Sequence, residues 1–236
     1  MAQQKGHKVV EMCARFSLHT ASNVLATLFD VPIEQQIPRF NIAPTQPVVN
    51  VYLDKEGTKA AESRRWGLIP AWASDEKIGV RMINARGETV ATLPAFREAY
   101  QKRRCVILAD GFYEWREEPL EADLFGEVSK TYKQPYHFRR RDEMPFGFAG
   151  LWERWHNAAG ERIETCCVLT TGPNEFMAEF HDRMPVILEI DQVDLWLGAP
   201  DDSLLVPCTN ETLECLRIGR AVSNPRVEGP ELLLPA

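Results

Sequence analysis

Nowhere does this chain carry an apolar run near the roughly 20 residues a helix needs to cross a bilayer, so a helical membrane protein is excluded. Its first eleven residues, MAQQKGHKVVE, lack the apolar centre of a secretory signal, and the expected setting is the cytoplasm. No Cys-x-x-Cys pair and no Cys/His set with zinc spacing occurs. Cys166 and Cys167 are adjacent, a poor arrangement for a disulfide or a tetrahedral site. Cys13, Cys105, Cys166, Cys167, Cys208 and Cys215 are therefore expected as free thiols, with neither a structural metal nor a cofactor. No Pro/Gly/Ser-rich linker divides the 236 residues, which reads as one domain. Positive charge is also short: the net charge of -7 excludes broad, unspecific affinity for nucleic acid. That deficit is uneven. Glu117, Glu118, Glu121, Asp123 and Glu127 crowd one segment, while Arg15, Arg39, Arg64, Arg65, Arg81, Arg86, Arg103 and Arg104 lie elsewhere, which leaves room for a basic groove on an acidic body.

What the chain does have is frequent punctuation. Sixteen prolines and fourteen glycines spread along it favour short strands and turns over long helices. Strands are expected at 15–18, 48–53, 65–70 (leading into a loop), 105–109, 112–115, 136–138, 146–151 and 165–169, with turns at Asp54–Gly57 and a turn or bulge at Asp110-Gly111. A helix capped by Thr20 or Ser22 should carry Val24, Leu25, Leu28 and Phe29 and end at Asp30. Shorter helices are expected around 92–100, at 173–180, and after an Asp191 cap with Val193, Trp196 and Leu197. Residues 117–130 read as an acidic loop or short helix inserted at the surface. Many short strands with a few helices make an α+β domain of antiparallel sheets.

Four islands place polar or charged residues inside apolar, strand-like surroundings. They are Met12-Cys13-Ala14-Arg15-Phe16, Ile83-Asn84-Ala85-Arg86-Gly87-Glu88-Thr89, Ala109-Asp110-Gly111-Phe112-Tyr113-Glu114-Trp115 and His181-Asp182-Arg183-Met184-Pro185. Together with Arg39-Phe40-Asn41-Ile42-Ala43-Pro44-Thr45 and Trp66-Gly67-Leu68-Ile69-Pro70, and in this order, they resemble the SOS-response-associated peptidase (SRAP) family, whose members shield abasic sites in DNA. The resemblance runs from Cys13 to about Asn224. It implies the SRAP fold over residues 12–236, a single domain of mostly antiparallel, barrel-like sheets with several short helices. It also implies a partner, single-stranded DNA containing abasic sites, bound by a monomer that associates with the nucleoid when on DNA.

The chemistry implied centres on Cys13. An abasic deoxyribose opens to an aldehyde, and only an unprotonated amine condenses with it. An α-amine is about 10–15% neutral at pH 7, a lysine about 0.04%. An N-terminal cysteine adds a thiol that closes the imine to a five-membered thiazolidine, a fast step because it is intramolecular. This requires Cys13 to be the terminal residue. Family members begin Met-Cys and lose the Met, whereas here eleven residues precede Met12. Residues 1–11 are thus expected to be a disordered leader or to lie before the true start. Ala14 replaces the family's usual glycine.

Glu114 alternates with Phe112 along an apolar strand, so its carboxylate should share an aromatic's face; burial would raise its pKa and suit a general acid/base. The alternative is a salt bridge to a core arginine. His181 titrates near neutrality and matches a family histidine that helps reverse the crosslink and gives weak lyase activity. Asn84 carries an amide able to orient the opened sugar, and Arg86, on the same face, a fork for phosphate, with Glu88 continuing that face. Arg15, two residues after Cys13, is expected on the active face. Arg39, Asn41, Pro44 and Thr45 are expected to build a groove wall, Trp66 and Trp72 to stack on bases or pack in the core. Thr170 matches a polar position near the family's site. Gly219–Asn224 resembles the family's C-terminal strand. Two other readings remain open: a thiol peptidase using Cys13, His181 and Glu114, which would remove its own leader, and a non-covalent single-strand binder.

Overall fold

Short apolar runs broken by Gly, Pro and Asp turns become the strands of a computed structural model that describes residues 13–119 and 131–236. In chain order these are β1 (Phe16–Leu18), β2 (Arg39–Ile42), β3 (Pro47–Leu53), β4 (Lys59–Trp66), β5 (Asn84–Arg86), β6 (Arg104–Ala109) and β7 (Gly111–Pro119). After the undescribed residues come β8 (Thr131–Arg140), β9 (Phe146–His156), β10 (Arg162–Thr171), β11 (Met184–Pro185), β12 (Ile187–Leu188) and β13 (Leu213–Arg217). The helices are short: α1 (Ser22–Phe29), α2 (Gly87–Val90), α3 (Arg97–Lys102), α4 (Glu175–Ala178) and α5 (Ile190–Gly198). The expectations for residues 1–11 and most of the acidic segment lie outside the described residues. Residues 117–119, expected as its beginning, instead extend β7, with Glu117 opposite Lys133 on β8.

Two sheets form. The first, in the order β13-β8-β7-β1-β2, is antiparallel throughout. In the second, β9 pairs with both β6 and β10, so the order β10-β4-β3-β6-β9 returns to its start and closes a barrel. Closure removes the sheet edges that would otherwise be open to pairing. β10 runs parallel to both β4 and β5, the departures from antiparallel pairing among the described residues. The chain passes from barrel to first sheet at Asp110, between β6 and β7. That corner is pinned because the Asp110 carboxylate accepts hydrogen bonds from the backbone N–H groups of His19 and Thr20 and from the Thr20 hydroxyl, at 2.5–2.7 Å.

The core lies where the sheets meet. Phe16 of β1 stands edge-on to Trp66 at 5.0 Å and to Phe148 at 5.8 Å, and Phe112 of β7 stacks on Phe138 of β8 at 5.1 Å. Each such buried phenylalanine contributes about 1.5–3 kcal/mol by leaving water.

Several local expectations are corrected. The N-cap of α1 is Ala21: Thr20 is committed to Asp110, and the Ser22 hydroxyl accepts the Gln36 N–H instead. Asp191 lies inside α5, which is capped by Glu189 with Gln192 reciprocating. Gly219–Asn224 is no strand; Arg220–Ser223 winds into a 3-10 turn that buries Val222. Asp110-Gly111 is the inter-sheet corner, and Gly111 is needed for closeness. A Cβ there would lie 2.3 Å from His137 Nε2 and 2.6 Å from the Phe138 carbonyl oxygen. Gly111→Ala is expected to destabilise by about 1–3 kcal/mol in urea unfolding, because the strands must separate; an unchanged midpoint would show that the corner has slack.

Candidate functional site

The strand period of β7 sorts its side chains. Phe112 and Glu114 face the aromatic interior, where Phe112 opposes Phe138 and Glu114 opposes Tyr136 across the β7–β8 pair. Tyr113 and Trp115 face a smaller cluster with Phe40, Ile218, Val222 and Leu232. Glu114 is 2% exposed. Its carboxylate Oε1 accepts the backbone N–H of Cys13 at 2.5 Å, a contact between residues 101 apart in sequence. Loss of water pushes the Glu114 carboxyl up to about 8, and the Cys13 N–H bond pulls the other way. Glu114 forms no ion pair among the described residues, so the salt-bridge alternative falls away.

Cys13 is fully buried and left-handed, with φ +47°. Burial, and secondarily the charge of Glu114, push its thiol well above the usual range, so the sulfur holds its proton at neutral pH. The left-handed turn also upsets the two-residue spacing argument for Arg15. Arg15 does not share the Glu114 face. Its Nη1 donates to Asn41 Oδ1 at 2.7 Å and to the Val222 carbonyl at 2.9 Å, and its guanidinium lies 5.9 Å from the Trp115 ring centre. Asn41 is likewise no groove wall. It is fully buried, and its Nδ2 donates to the carbonyls of Val222, Asn224 and Val227. These two residues tie the C-terminal segment to the first sheet.

Trp66 is corrected too. It is fully buried, its indole N–H donates to the Ile83 carbonyl at 2.9 Å, and no base can reach it. Trp72, by contrast, is 63% exposed. Thr45, at φ +73°, sits on an exposed turn beside half-buried Pro44, and its N–H donates to the Trp66 carbonyl. Arg39 bonds Glu228 at 2.9 Å and Gln46 at 2.6 Å.

A second group of the expected residues gathers on the parallel pair β5–β10. Asn84 opposes Val168, and Arg86, exposed, opposes Thr170. Thr170 receives Arg183, whose Nη2 donates to its carbonyl at 2.7 Å and its hydroxyl at 3.2 Å. Arg183 sits two residues after His181 in the same island, yet the sequence alone assigned it no role. His181 follows α4 and is mostly buried, with Nδ1 accepting the Arg183 N–H at 3.1 Å and lying 2.9 Å from Asp182 Oδ1. The two groups are joined by aromatic packing: Phe180, just before His181, stands edge-on to Tyr136 at 5.0 Å, and Tyr136 is the cross-strand neighbour of Glu114. No group of His, Cys, Asp and Glu among the described residues is arranged to hold a metal ion.

A buried acid facing the nitrogen of Cys13, with Asn84, Arg86, Thr170 and His181 on the neighbouring strand pair and loop, is the arrangement on which comparison with known proteins bears. The chain belongs to the SOS response associated peptidase (SRAP) family. The family model matches residues 12–225, beginning next to Cys13. Among relatives, the abasic site processing protein YoaM of Bacillus subtilis (strain 168) is 40% identical over 232 residues, covering 94% of this chain and 97% of that protein. The abasic site processing protein HMCES of Rattus norvegicus is 27% identical over 271 residues, covering 95% of this chain and 76% of that one. A crystal structure of a protein from Bacteroides thetaiotaomicron superposes with a TM-score of 0.81 at 25% identity, over 95% of this chain and all of that one. This SRAP chain shares the mixed α/β fold of that structure.

The site also makes a stability prediction. Below about pH 4.3 Glu114 is protonated whether the chain is folded or unfolded. As pH rises to about 8 the folded state keeps a proton that the unfolded state has released, so stability falls across that window. Glu114→Gln removes the effect. Its stability gain in urea should be near zero at pH 4 and grow to on the order of 2–4 kcal/mol by pH 8; a gain equal at both pH values would refute the buried-acid assignment.

Proposed function

We propose that this protein processes abasic sites in single-stranded DNA by capturing the ring-opened sugar on Cys13. The observation that carries the reading is the 2.5 Å hydrogen bond between the Cys13 nitrogen and the buried Glu114 carboxyl, supported by relatives named abasic site processing proteins. With Cys13 as the first residue, that nitrogen is an amine beside a proton donor. The amine attacks the aldehyde carbon, the C=O π pair moves to oxygen, and one nitrogen proton passes to that oxygen to give the carbinolamine. Glu114 protonates the carbinolamine hydroxyl, which leaves as water, and takes back the nitrogen's proton as the imine forms. The Cys13 sulfur then bonds the imine carbon while its proton passes to the nitrogen, closing the thiazolidine. Asn84 orients the sugar, Arg86 and Thr170 line the strand's path, and His181 moves protons during slow reversal and weak strand cleavage.

The protonated thiol fits this order of events, because sulfur is needed only after the imine has formed. A thiol peptidase works instead through a thiolate, which needs the thiol pKa lowered; here burial and Glu114 push it up. The reading places the protein on cytoplasmic DNA, at the nucleoid, as a monomer.

The test is an adduct that survives denaturation, formed with an abasic single strand and not with an intact one, and absent in Cys13→Ala. Intact mass of the reactive protein should begin at Cys13. A chain retaining upstream residues that crosslinks equally well would sink the proposal.

The pH profile adds a second check. The neutral amine increases with pH through about 7.7–8.0, while protonated Glu114 is lost as pH rises through about 8. Crosslinking rate should therefore rise and then fall. In Glu114→Gln the falling limb should vanish and the rate drop by about 10²-fold or more; a wild-type falling limb retained in the variant would assign it to another group.

A further inference from the structure

The Arg183 guanidinium is held on two sides. Toward the barrel, Nη2 donates to the Thr170 carbonyl and hydroxyl. Toward solvent, Nη1 and Nη2 meet the two carboxylate oxygens of Glu88 at 2.5 and 2.8 Å, a two-pronged pairing. The two partners differ in freedom. The Arg183 side chain is 18% exposed, whereas that of Glu88 is 53% exposed and stands on the short helix α2. The bond from Arg183 holds the Glu88 carboxyl below the usual range, the nearby charge of Arg86 adding to it, so the group is ionised at neutral pH.

An arginine fork binds a planar carboxylate and a phosphodiester with the same pair of donors. The Glu88 carboxylate therefore occupies a ready-made anion slot. Arg183 is anchored beneath it, and Arg86, whose backbone lies opposite Thr170, is beside it. We propose that Glu88 is a built-in competitor for a DNA phosphate: a backbone phosphodiester of the bound strand takes the two Arg183 donors by displacing Glu88, which swings into solvent. This deepens the abasic-site reading and rests on it, since it requires single-stranded DNA to cross the β5–β10 face. Its consequence is specificity. An intact strand must evict a carboxylate for each transient visit, while a strand held at its damaged sugar keeps the phosphate at high local concentration and wins the slot. The device suppresses idle binding by an already acidic protein.

The experiment is a double-mutant cycle on binding of an intact fluorescent oligonucleotide at fixed salt, with thermal unfolding confirming that each variant folds. Glu88→Gln, which keeps shape and loses charge, is expected to tighten binding about tenfold. Arg183→Lys, which keeps charge and loses the fork, is expected to weaken it, and in that background Glu88→Gln should give little further change. An equal gain in both backgrounds would mean that Glu88 acts only through overall charge, and overturns the proposal. No change, or weaker binding, in Glu88→Gln alone overturns it as well. Crosslinking of an abasic strand by the wild type is scored in parallel. If that adduct forms while the cycle shows no coupling, the competitor idea fails and the abasic-site reading stands; if no adduct forms, the underlying reading has failed.

Discussion

A carboxyl group held out of water against the nitrogen of Cys13 is the constraint around which the molecule is arranged. In water Glu114 would be ionised at neutral pH. In the aromatic interior it keeps its proton up to about pH 8, because burial outweighs the one N–H bond it accepts. To achieve this, β7 must lie flush with β1 and β8, the ring of Phe112 must stack on Phe138, and the chain at Cys13 must turn left-handed into the space beside Glu114. Such a group opposes folding over much of the ordinary pH range. Dryness and a pKa near working pH are what the proposed role of proton donor calls for.

The same strand divides its side chains between two clusters. Side chains one position away from Glu114, Tyr113 and Trp115, look onto the smaller cluster, which the C-terminal segment covers. That segment has little regular structure, so its carbonyls need outside donors. Asn41 and Arg15 supply them. Both look like DNA ligands by residue type; burial and hydrogen bonding assign them to holding the fold. The parallel pair β5–β10 gathers the other polar candidates. Three residues of β5 suffice to present Asn84 and Arg86 next to Thr170, and the chain beyond α4 returns His181 and Arg183 to the same edge.

Much of the framework was legible because it is local. The apolar run of β6, the β-branched stretch of β3, the turn at Asp54–Gly57 and the stripe Leu25/Phe29 closed by left-handed Asp30 each follow from neighbours within a few residues. Glu114 was legible for a related reason: a carboxylate in step with phenylalanine along a strand is a local anomaly. Where reasoning went astray, the decisive partner was distant. Trp66 has an indole N–H that finds Ile83 and a ring that meets Phe16. Arg15 stands two residues after Cys13, whose positive φ breaks the strand period. Arg183 stood inside an island already marked for His181, but its ties to Thr170 and Glu88 span 13 and 95 residues.

By itself, then, the order of amino acids determined which stretches extend, which turn, and which polar residues stand out against apolar surroundings, since those depend on periodicity and side-chain type. It also carried the family pattern, six islands in register. Only the tertiary structure decided that the nitrogen of residue 13 and the carboxyl of residue 114 touch, which tryptophan is core and which is exposed, and that Glu88 rather than solvent meets Arg183. The reason is physical. A strand announces its two faces, but which face is dry depends on the sheet laid against it, and hydration sets both the pKa of an acid and the reach of a side chain.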